Sequence, residues 1–517
     1  MYLSENLKKS REQCFSYDLS RGIEKSRFGN MGKIVRADNI SFDKTRAIFS
    51  REGLHGYKYP NDAISVGSYL GLLYYNTPNG FFVSGEKKGN LSTGKKSFVN
   101  FGGGVFIFPD CKFYNIITDE LDYLYKQISA DIKIIPNDTN WCKAYYSLSG
   151  GNLASDLADY ESIAIIGSIN GIYDGNYKIE KYDFTNGSIY FKHVNFENQP
   201  VNNQTITITN KIPALEGACI CKNRIFGFAE NKIYASAQDN GLSWLDFDSD
   251  DGSYFYQNMG GEYFVACDSL EDQAIFFTKN KIYKIYGNDA REFSLKVVSE
   301  YCGLDVDFGG SCAKVRGNLY FINKSSIVKF NGINCEEVCR LDEKNIASVK
   351  CQGFNDKLYL YYVSDSGQHF CVLDIDTGAV SHIGIKDVVG FFRIEDYACV
   401  MTRGEVIVLD GNENALDLKY LPEGKVSSCI EFDEIYNGTE KISPMKLRMR
   451  AKIMRGGRLD IYCMFENSGE WIYVGKIDEE RKRLFTFHLP CVITDSFKLK
   501  ISGSGGYEIT NIDVVLQ

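Results

Sequence analysis

A short apolar strand, a polar turn and a second, alternating strand recur along most of this chain. Seven segments have this form: Val66–Gly85, Gly102–Ile116, Asn223–Ser236, Ala274–Gly287, Gly317–Gly332, Asp356–Ile383 and Ala398–Gly411. Polar turns such as Lys279-Asn280 or Arg403-Gly404 between alternating strands are typical of β-hairpins. Hairpins repeated at intervals of roughly 35–50 residues are typical of propeller blades. We therefore predict an all-β fold built on a β-propeller, with a large β-sandwich of unrelated hairpins as the alternative.

The amino-acid composition supports the same fold class. The chain has 34 Tyr and 34 Phe against three Trp and nine Pro, and 48 Gly are spread among them. Aromatic residues suit a pleated, half-buried sheet, and glycine suits the tight turns between short strands.

The spacing of the hairpins also predicts the domain organisation. Residues 1–60 form an N-terminal arm that ends in a first strand, and residues 61–415 form the propeller. In the long gap after Ile116, Thr118–Gln127 and Leu153–Tyr160 are compatible with helix, and Ser162–Ile208 reads as five short strands. We predict a small β-domain inserted at residues 145–212, because an insertion in an exposed loop costs little entropy. Strands spaced by about 12 residues predict a C-terminal β-sandwich at residues 416–517.

The charge is unevenly distributed. The net charge is −9, with +5 in residues 1–60, +4 in residues 441–517 and therefore −18 in residues 61–440. An acidic chain of this kind is not typical of general nucleic-acid-binding proteins. The pattern suits head-to-tail packing of copies, and solvated charge at each end is the alternative.

Cysteine and histidine usage predicts neither a disulfide framework nor a metal centre. The 16 cysteines are scattered, form no CxxC pair and lie mostly in apolar strand-like runs, and the five histidines are dispersed. Buried free thiols are typical of a reducing cytoplasm. Met1–Arg11 is polar, and no stretch has the 18 or so apolar residues of a membrane span. We expect no cofactor, no membrane span and folding in a cytoplasm.

Motifs for catalysis and metal binding are weak. No GxSxG elbow, P-loop, HExxH or GxGxxG is present, although a pair of acids for glycoside hydrolysis would leave no local pattern. The best metal candidate is Asp246, Asp248 and Asp250, because alternate carboxylates before Gly252 resemble a calcium loop. Its glycine is one position late and no glutamate closes it, so a solvated acidic loop is favoured.

One segment predicts a protein interface. In Lys446–Ile453 the alternating pattern places the cations Lys446, Arg448, Arg450 and Lys452 on one sheet face, with apolar residues on the other. A row of cations suits an acidic partner, a phosphate or the acidic part of the chain itself. The alternative is that the cations only protect an exposed strand from pairing.

Several segments, taken in order, resemble tail proteins of tailed bacteriophages that carry a propeller. Arg36–Gly53 resembles the segment that precedes their first blade. In Lys211–Phe247, the residues Asn223-Arg224, Ile233-Tyr234, Ala235-Ser236 and Trp244 match their pattern. Further matches follow in the same order: Ala274–Gly287, Gly303, Asn318–Phe321, Lys329–Gly332 and Leu499–Val515. Phe226 departs from the pattern, which usually has Trp there, and Asp239–Leu242 lacks the usual proline.

The resemblance implies a structural virion component of a phage tail, of the nozzle, tail-hub or packaged-DNA-stabilisation type. Proteins of that type form rings, commonly sixfold, around the DNA channel and do no catalysis. We therefore expect a non-enzymatic homo-oligomeric ring that contacts other tail or connector proteins and lies near DNA non-specifically. It would be assembled in the host bacterial cytoplasm and located in the virion tail.

Two alternatives stay open. The first is a receptor- or glycan-binding propeller at a tail tip, using aromatics such as Tyr254, Phe255 and Tyr256 in blade loops. The second, ranked last, is a polysaccharide-cleaving enzyme, for which the sequence nominates no carboxylate pair.

Overall fold

The hairpins indicated by the sequence are present, and the all-β prediction is confirmed. The computed structural model describes residues 13–19, 22–23, 31–42, 47–51, 54–58, 62–148, 151–196, 198–305, 312–341, 343–410, 421–422, 426–466 and 468–517. Within these residues, helix is limited to α1 (Leu153–Asp156) and one 3-10 turn (Ile169–Gly171). No helix among them has the length and hydropathy of a membrane span. The predicted boundary at residues 415/416 and the segment Met1–Arg11 lie outside the described residues.

The chain divides into two compact units, which are described separately. Unit 1 holds residues 1–61, 310–331 and 335–517, and unit 2 holds residues 62–309 and 332–334. The N-terminal strands of unit 1 are β1 (Gln13–Ser16), β2 (Ile34–Asp38), β3 (Ile40–Phe42), β4 (Ile48–Ser50) and β5 (His55–Lys58).

Unit 2 begins with two four-stranded antiparallel sheets, which we call blades 1 and 2. The strands of blade 1 are β6 (Ser65–Tyr69), β7 (Leu72–Thr77), β8 (Gly80–Val83) and β9 (Glu86–Gly89). Those of blade 2 are β10 (Ser97–Phe101), β11 (Gly104–Phe108), β12 (Lys112–Asn115) and β13 (Glu120–Tyr123). Tyr74 and Phe81 of blade 1 pack on Val105 and Ile107 of blade 2, so the two sheets share an apolar core.

A closed six-stranded barrel follows blade 2 in the chain. Its strands are β14 (Gln127–Pro136), β15 (Trp141–Tyr146), β16 (Ser162–Ile166), β17 (Gly175–Asp183), β18 (Ser188–Lys192) and β19 (Asn202–Thr209). Inward residues such as Ile134, Ala144 and Phe191 are fully buried and form a core of their own. The barrel strands thus span residues 127–209, whereas the sequence pattern placed the inserted module at residues 145–212. The interpretation of Thr118–Gln127 as helix is wrong, because that stretch contains β13 and the start of β14.

Two further blades complete unit 2. Blade 3 consists of β20 (Gly217–Cys221), β21 (Arg224–Ala229), β22 (Lys232–Ala235) and β23 (Tyr254–Gln257). Blade 4 consists of β24 (Phe264–Leu270), β25 (Gln273–Thr278), β26 (Ile282–Tyr286) and β27 (Ser294–Ser299). The first strands of successive blades, β6, β10, β20 and β24, lie next to each other. Sheets joined through their first strands have a propeller-like arrangement.

Three blades of unit 1 repeat this arrangement. Blade 5 consists of β28 (Ala313–Val315), β29 (Asn318–Asn323), β30 (Ser326–Phe330) and β31 (Cys335–Arg340). Blade 6 consists of β32 (Ser348–Phe354), β33 (Lys357–Ser364), β34 (Gly367–Asp374) and β35 (Val380–Ile383). Blade 7 has only three strands from this region, β36 (Val388–Ile394), β37 (Tyr397–Thr402) and β38 (Glu405–Asp410). The N-terminal strand β5 pairs with β38 as its fourth strand, and β39 (Leu421–Pro422) pairs with β5 in turn.

The C-terminal strands of unit 1 form two further sheet regions. They are β40 (Ser427–Phe432), β41 (Pro444–Ile453), β42 (Arg458–Phe465), β43 (Ile472–Ile477), β44 (Leu484–His488), β45 (Phe497–Ser504) and β46 (Tyr507–Leu516). One sheet has the order β3-β4-β46-β41-β44, with β1 also paired to β46. In the other, β2 lies between β35 and β40, so blade 6 and the C-terminal strands share one nine-stranded sheet. The N-terminal strands are therefore built into the C-terminal sheets.

Candidate interaction surfaces

The cations predicted on one face of β41 lie there because the strand alternates strictly. Leu447 and Met449 are fully buried, whereas Arg448, Arg450 and Lys452 are exposed and Lys446 is half-buried. Side chains two residues apart on a strand are separated by about 7 Å, so the four cations form a row about 20 Å long. We call it the cationic row.

Two carboxylates of β46 lie opposite the cationic row. In the register, Arg448 lies opposite Asp513 of β46 and Lys452 lies opposite Glu508. The Asp513 carboxylate instead accepts hydrogen bonds from Ser16 Oγ at 2.6 Å and Asn511 Nδ2 at 2.7 Å. Within the described residues, none of the four cations forms an ion pair. The row is therefore available to an anionic partner.

A second group of cations, which the sequence analysis missed, lies beside the row. Arg481, Lys482 and Arg483 are exposed and immediately precede β44, the edge strand next to β41. The amide of Ala451 donates a 3.0 Å hydrogen bond to the carbonyl of Arg483, which fixes this group against the row. The run of three consecutive cations is the feature of the sequence that could have revealed this group. Its position beside β41 depends on the pairing of β41 with β44.

Two of the three carboxylates of the weak calcium candidate have different partners. Asp246 is buried and its Oδ2 lies 3.4 Å from Lys178 Nζ, on the barrel strand β17. Asp250 pairs with Arg291 at 3.4 Å. In the described part of the chain, no three His, Cys, Asp or Glu side chains are arranged to hold a metal ion. Residues 246–252 thus connect the barrel and blade 3 through an ion pair.

Arg224, the first residue of β21 in blade 3, is hydrogen-bonded to the same segment. Its guanidinium is fully buried and donates hydrogen bonds to the carbonyl oxygens of Ser236 (3.1 Å), Asp251 (3.0 Å) and Asp250 (3.2 Å), and to that of Gly252. Burial lowers the pKa of Arg224, while nearby carboxylates oppose that effect. A residue from the phage-like motif is therefore a structural anchor.

One polar cluster in blade 6 has residue types found in hydrolases. His369 Nε2 lies 2.8 Å from Ser366 Oγ and 3.2 Å from Ser364 Oγ, and both hydroxyls donate to Glu343 Oε2. The hydroxyls and the carboxylate thus face the same imidazole nitrogen, whereas a triad places the acid on the opposite nitrogen. The nearby Cys371 thiol lies 3.2 Å from His382 Nδ1 but is only 1% exposed. The arrangement suits structural hydrogen bonding rather than nucleophilic attack.

The aromatics nominated for glycan binding do not lie in a blade loop. Tyr254, Phe255 and Tyr256 belong to β23, the fourth strand of blade 3. Tyr254 and Tyr256 pack against the core shared with blade 4, and only Phe255 is exposed. This part of the glycan hypothesis is wrong, because the alternation of the strand turns two of the three rings inward.

Comparisons with known proteins identify no family. No family model and no curated protein matches the chain. Among solved structures, the endosialidase of phage phi92 is similar over 84% of this chain and 76% of its own, with 9% identity and a TM-score of 0.31. PorZ, a surface component of the type-IX secretion system of Porphyromonas gingivalis, is similar over 73% of this chain, with 8% identity and a TM-score of 0.27. This chain spans less than half of PorZ, 45% of its length.

Proposed function

We propose that this chain is a structural, non-catalytic component of a phage tail, a hub- or nozzle-like propeller whose copies assemble into a ring around or near the DNA channel. The observation that carries the proposal is the cationic row, four cations held on one strand without an ion pair in the described residues. The phage-tail setting is supported by the ordered motif resemblance, and contacts with other tail or connector proteins follow from it.

The charge distribution supports contact between copies. Residues 61–440 carry a net charge of −18, so each copy offers both a cationic row and an acidic region. A contact between two different surfaces of identical chains is heterologous, and it closes into a ring when the rotation between copies permits. Exposed ion pairs are each worth only about 0–1 kcal/mol, so the row acts mainly by steering and orienting copies. Such an assembly weakens as salt screens the charges.

The test is the oligomeric state of the full chain as a function of salt. Mass photometry and cryo-electron microscopy at about 50 mM salt should show rings, and about 0.5 M salt should dissociate them. The variant Arg448→Glu/Arg450→Glu should shift the assembly strongly toward monomers. The matched control is Lys324→Glu/Lys386→Glu, which changes the charge equally at two exposed blade residues of unit 1 and should keep the rings.

Three outcomes would overturn the proposal. A chain that stays monomeric at all concentrations and is absent from the tails of purified particles is not a tail component. Rings that both double variants disrupt equally would show that overall charge, rather than the cationic row, controls assembly. Tight binding of duplex DNA that only Arg448→Glu/Arg450→Glu abolishes would assign the row to phosphate contacts instead.

A further inference from the structure

The outer surface of the barrel in unit 2 carries lysines interleaved with aromatic rings. Its members come from four neighbouring strands in the order β14-β15-β18-β17. They are Lys133, Trp141, Lys143, Tyr145, Lys181, Tyr190 and Lys192, which we call the lysine–aromatic face. Their sequence neighbours Ile134, Cys142, Ala144, Ile189 and Phe191 fill the barrel core, so strand alternation directs the seven outward.

The strand register places a lysine beside every ring. Trp141 lies opposite Lys192, and Tyr190 lies opposite both Lys143 and Lys181. Tyr145 lies opposite Lys133. Tyr190 is also the diagonal neighbour of both Trp141 and Tyr145, which places the three rings in a zigzag with steps of about 7–8 Å.

The lysines lie at the outer range of cation–π contact with these rings. Lys143 Nζ is 5.7 Å from the Tyr145 ring centroid and 5.6 Å from that of Tyr190. Lys181 Nζ is 5.4 Å from Tyr190, and Lys192 Nζ is 5.6 Å from Trp141. A close pair elsewhere in unit 2, Lys112 over Tyr123, has a separation of 4.5 Å. The ammonium groups of the face are therefore not seated tightly on the rings, and both remain available to a ligand.

The charge of the face differs from that of its surroundings. Within the described residues, Lys133, Lys143 and Lys181 form no ion pair, and Lys192 pairs with Glu180 at 3.3 Å. Asp183, at the edge of the face, has a lowered pKa because Asn186 donates hydrogen bonds to it and Lys143 and Lys181 add positive potential. This positive face lies within the acidic region of residues 61–440.

The residue types distinguish between two kinds of anionic polymer. Arginine is favoured for phosphates because its planar fork binds two oxygens, but residues 127–209 contain five lysines and no arginine. Single-stranded nucleic acid prefers a groove with rings for successive bases, whose stacking step is about 3.4 Å. Here the rings are about twice as far apart and lie on the outside of a closed barrel. The sugar rings of a polysaccharide stack on aromatic rings through their C–H faces. The carboxylates of an acidic polysaccharide are spread along the polymer, and single ammonium groups suit such separate charges.

We propose that the lysine–aromatic face binds an acidic polysaccharide, with sugar rings on Trp141, Tyr145 and Tyr190 and carboxylates at Lys133, Lys143 and Lys181. This binding role goes beyond assembly and does not depend on ring formation. It places glycan recognition on the inserted barrel rather than on a blade.

The experiment measures binding of the full chain to four immobilised polymers by biolayer interferometry. Polygalacturonate and hyaluronate are the carboxylated probes, dextran is the uncharged probe and a 20-nucleotide oligo-dT is the nucleic-acid probe. Native protein should bind a carboxylated probe and not dextran. Tyr190→Leu, which keeps the bulk but removes the aromatic face, should weaken binding about tenfold or more, and Lys143→Gln/Lys181→Gln by a similar factor that shrinks at high salt.

The matched control is Tyr123→Leu/Lys112→Gln, the cation–π pair of blade 2, which should leave affinity within about twofold. Circular dichroism and thermal unfolding establish that each variant is folded. If Tyr190→Leu is not folded, Tyr145→Leu provides a second test of the aromatic face. The proposal is overturned if neither carboxylated probe binds, if dextran binds equally well, or if the control variant loses as much affinity. Preferential binding of oligo-dT, lost in the same face variants, would show a nucleic-acid site instead.

Discussion

Arg224 illustrates how one buried side chain organises a long connection between two strands. The segment between β22 and β23 has no strand of its own, yet four of its backbone carbonyls accept hydrogen bonds from this guanidinium. Because those carbonyls would otherwise need water or another donor, the cation anchors the segment together with the segment's own backbone hydrogen bonds. The same segment contacts the barrel through Ser243, whose hydroxyl lies 3.1 Å from Ser162 Oγ.

Replacing Arg224 is expected to loosen this segment before it affects the rest of blade 3. Arg224→Ala should lower the free energy of unfolding by about 3 kcal/mol, since buried acceptors lose a charged donor and a cavity is left. The free energy of unfolding of Arg224→Lys should lie between those of the native protein and Arg224→Ala, because one ammonium group cannot reach all four carbonyls. Chemical denaturation gives the energies, and hydrogen exchange should rise first in residues 236–253.

The control for this prediction is Arg393→Ala, at an exposed arginine of blade 7, which should change stability by no more than about 0.5 kcal/mol. Unchanged exchange in residues 236–253 of Arg224→Ala would contradict the anchoring role.

At the scale of elements, the barrel is attached to blade 2 and blade 3 by chain ends that meet. Gln127, its first residue, is the strand partner of Thr209, its last. Just outside, the Lys126 amide donates a 2.6 Å hydrogen bond to Asn210 Oδ1, and Asn210 Nδ2 donates to the carbonyl of Leu124. Since the barrel also has its own core, it has the features of an insertion that folds independently.

We therefore expect residues 126–210 to fold alone. The fragment should give β-type circular dichroism, cooperative thermal unfolding and dispersed amide resonances in NMR spectra. Joining residues 125 and 211 with a short Gly-Ser linker should leave a soluble, folded remainder. A fragment that is disordered at neutral pH would contradict this prediction.

The elements that the sequence predicted are those set by local patterns. The turns at Lys279-Asn280 and Arg403-Gly404, and the two faces of β41, follow from residues close together in the chain. Tertiary pairing overrode local propensity at Thr118–Gln127, where Leu, Glu and Lys favour helix but a strand forms.

The parts that were missed depend on long-range register. The lysine–aromatic face collects residues from Lys133 to Lys192, and only the pairing of four strands brings them onto one surface. The roles of β2 and β5 were missed for the same reason, since their partners lie hundreds of residues away.

For the molecule as a whole, cysteine reactivity provides a test of the fold. Burial raises the pKa of Cys111, Cys142, Cys429 and Cys463 to about 11 and that of Cys399 to about 12. These thiols are therefore protonated at pH 8 and react slowly, since the thiolate is the nucleophile. Cys14 and Cys491 are exposed.

We expect a short iodoacetamide pulse at pH 8 to modify Cys14 and Cys491 first. Raising the pH toward 10 should increase labelling of the buried thiols only slightly, and denaturant should make all 16 cysteines reactive. Mass spectrometry of tryptic peptides locates the labels. Rapid labelling of Cys399 or Cys463 in the native protein would contradict the burial described above.

The pairing of the first strands with the last one has a consequence for biosynthesis. Ser16 on β1 and Asp513 on β46 are hydrogen-bonded although 497 positions separate them. A ribosome adding about 5–20 residues per second needs roughly 25–100 s to cover that distance. Throughout that interval, β1 lacks its partner strand, and the edge of β4 that pairs with β46 stays open. Completion of this sheet of unit 1 therefore cannot precede the synthesis of β46, and β1 stays open to premature pairing until then.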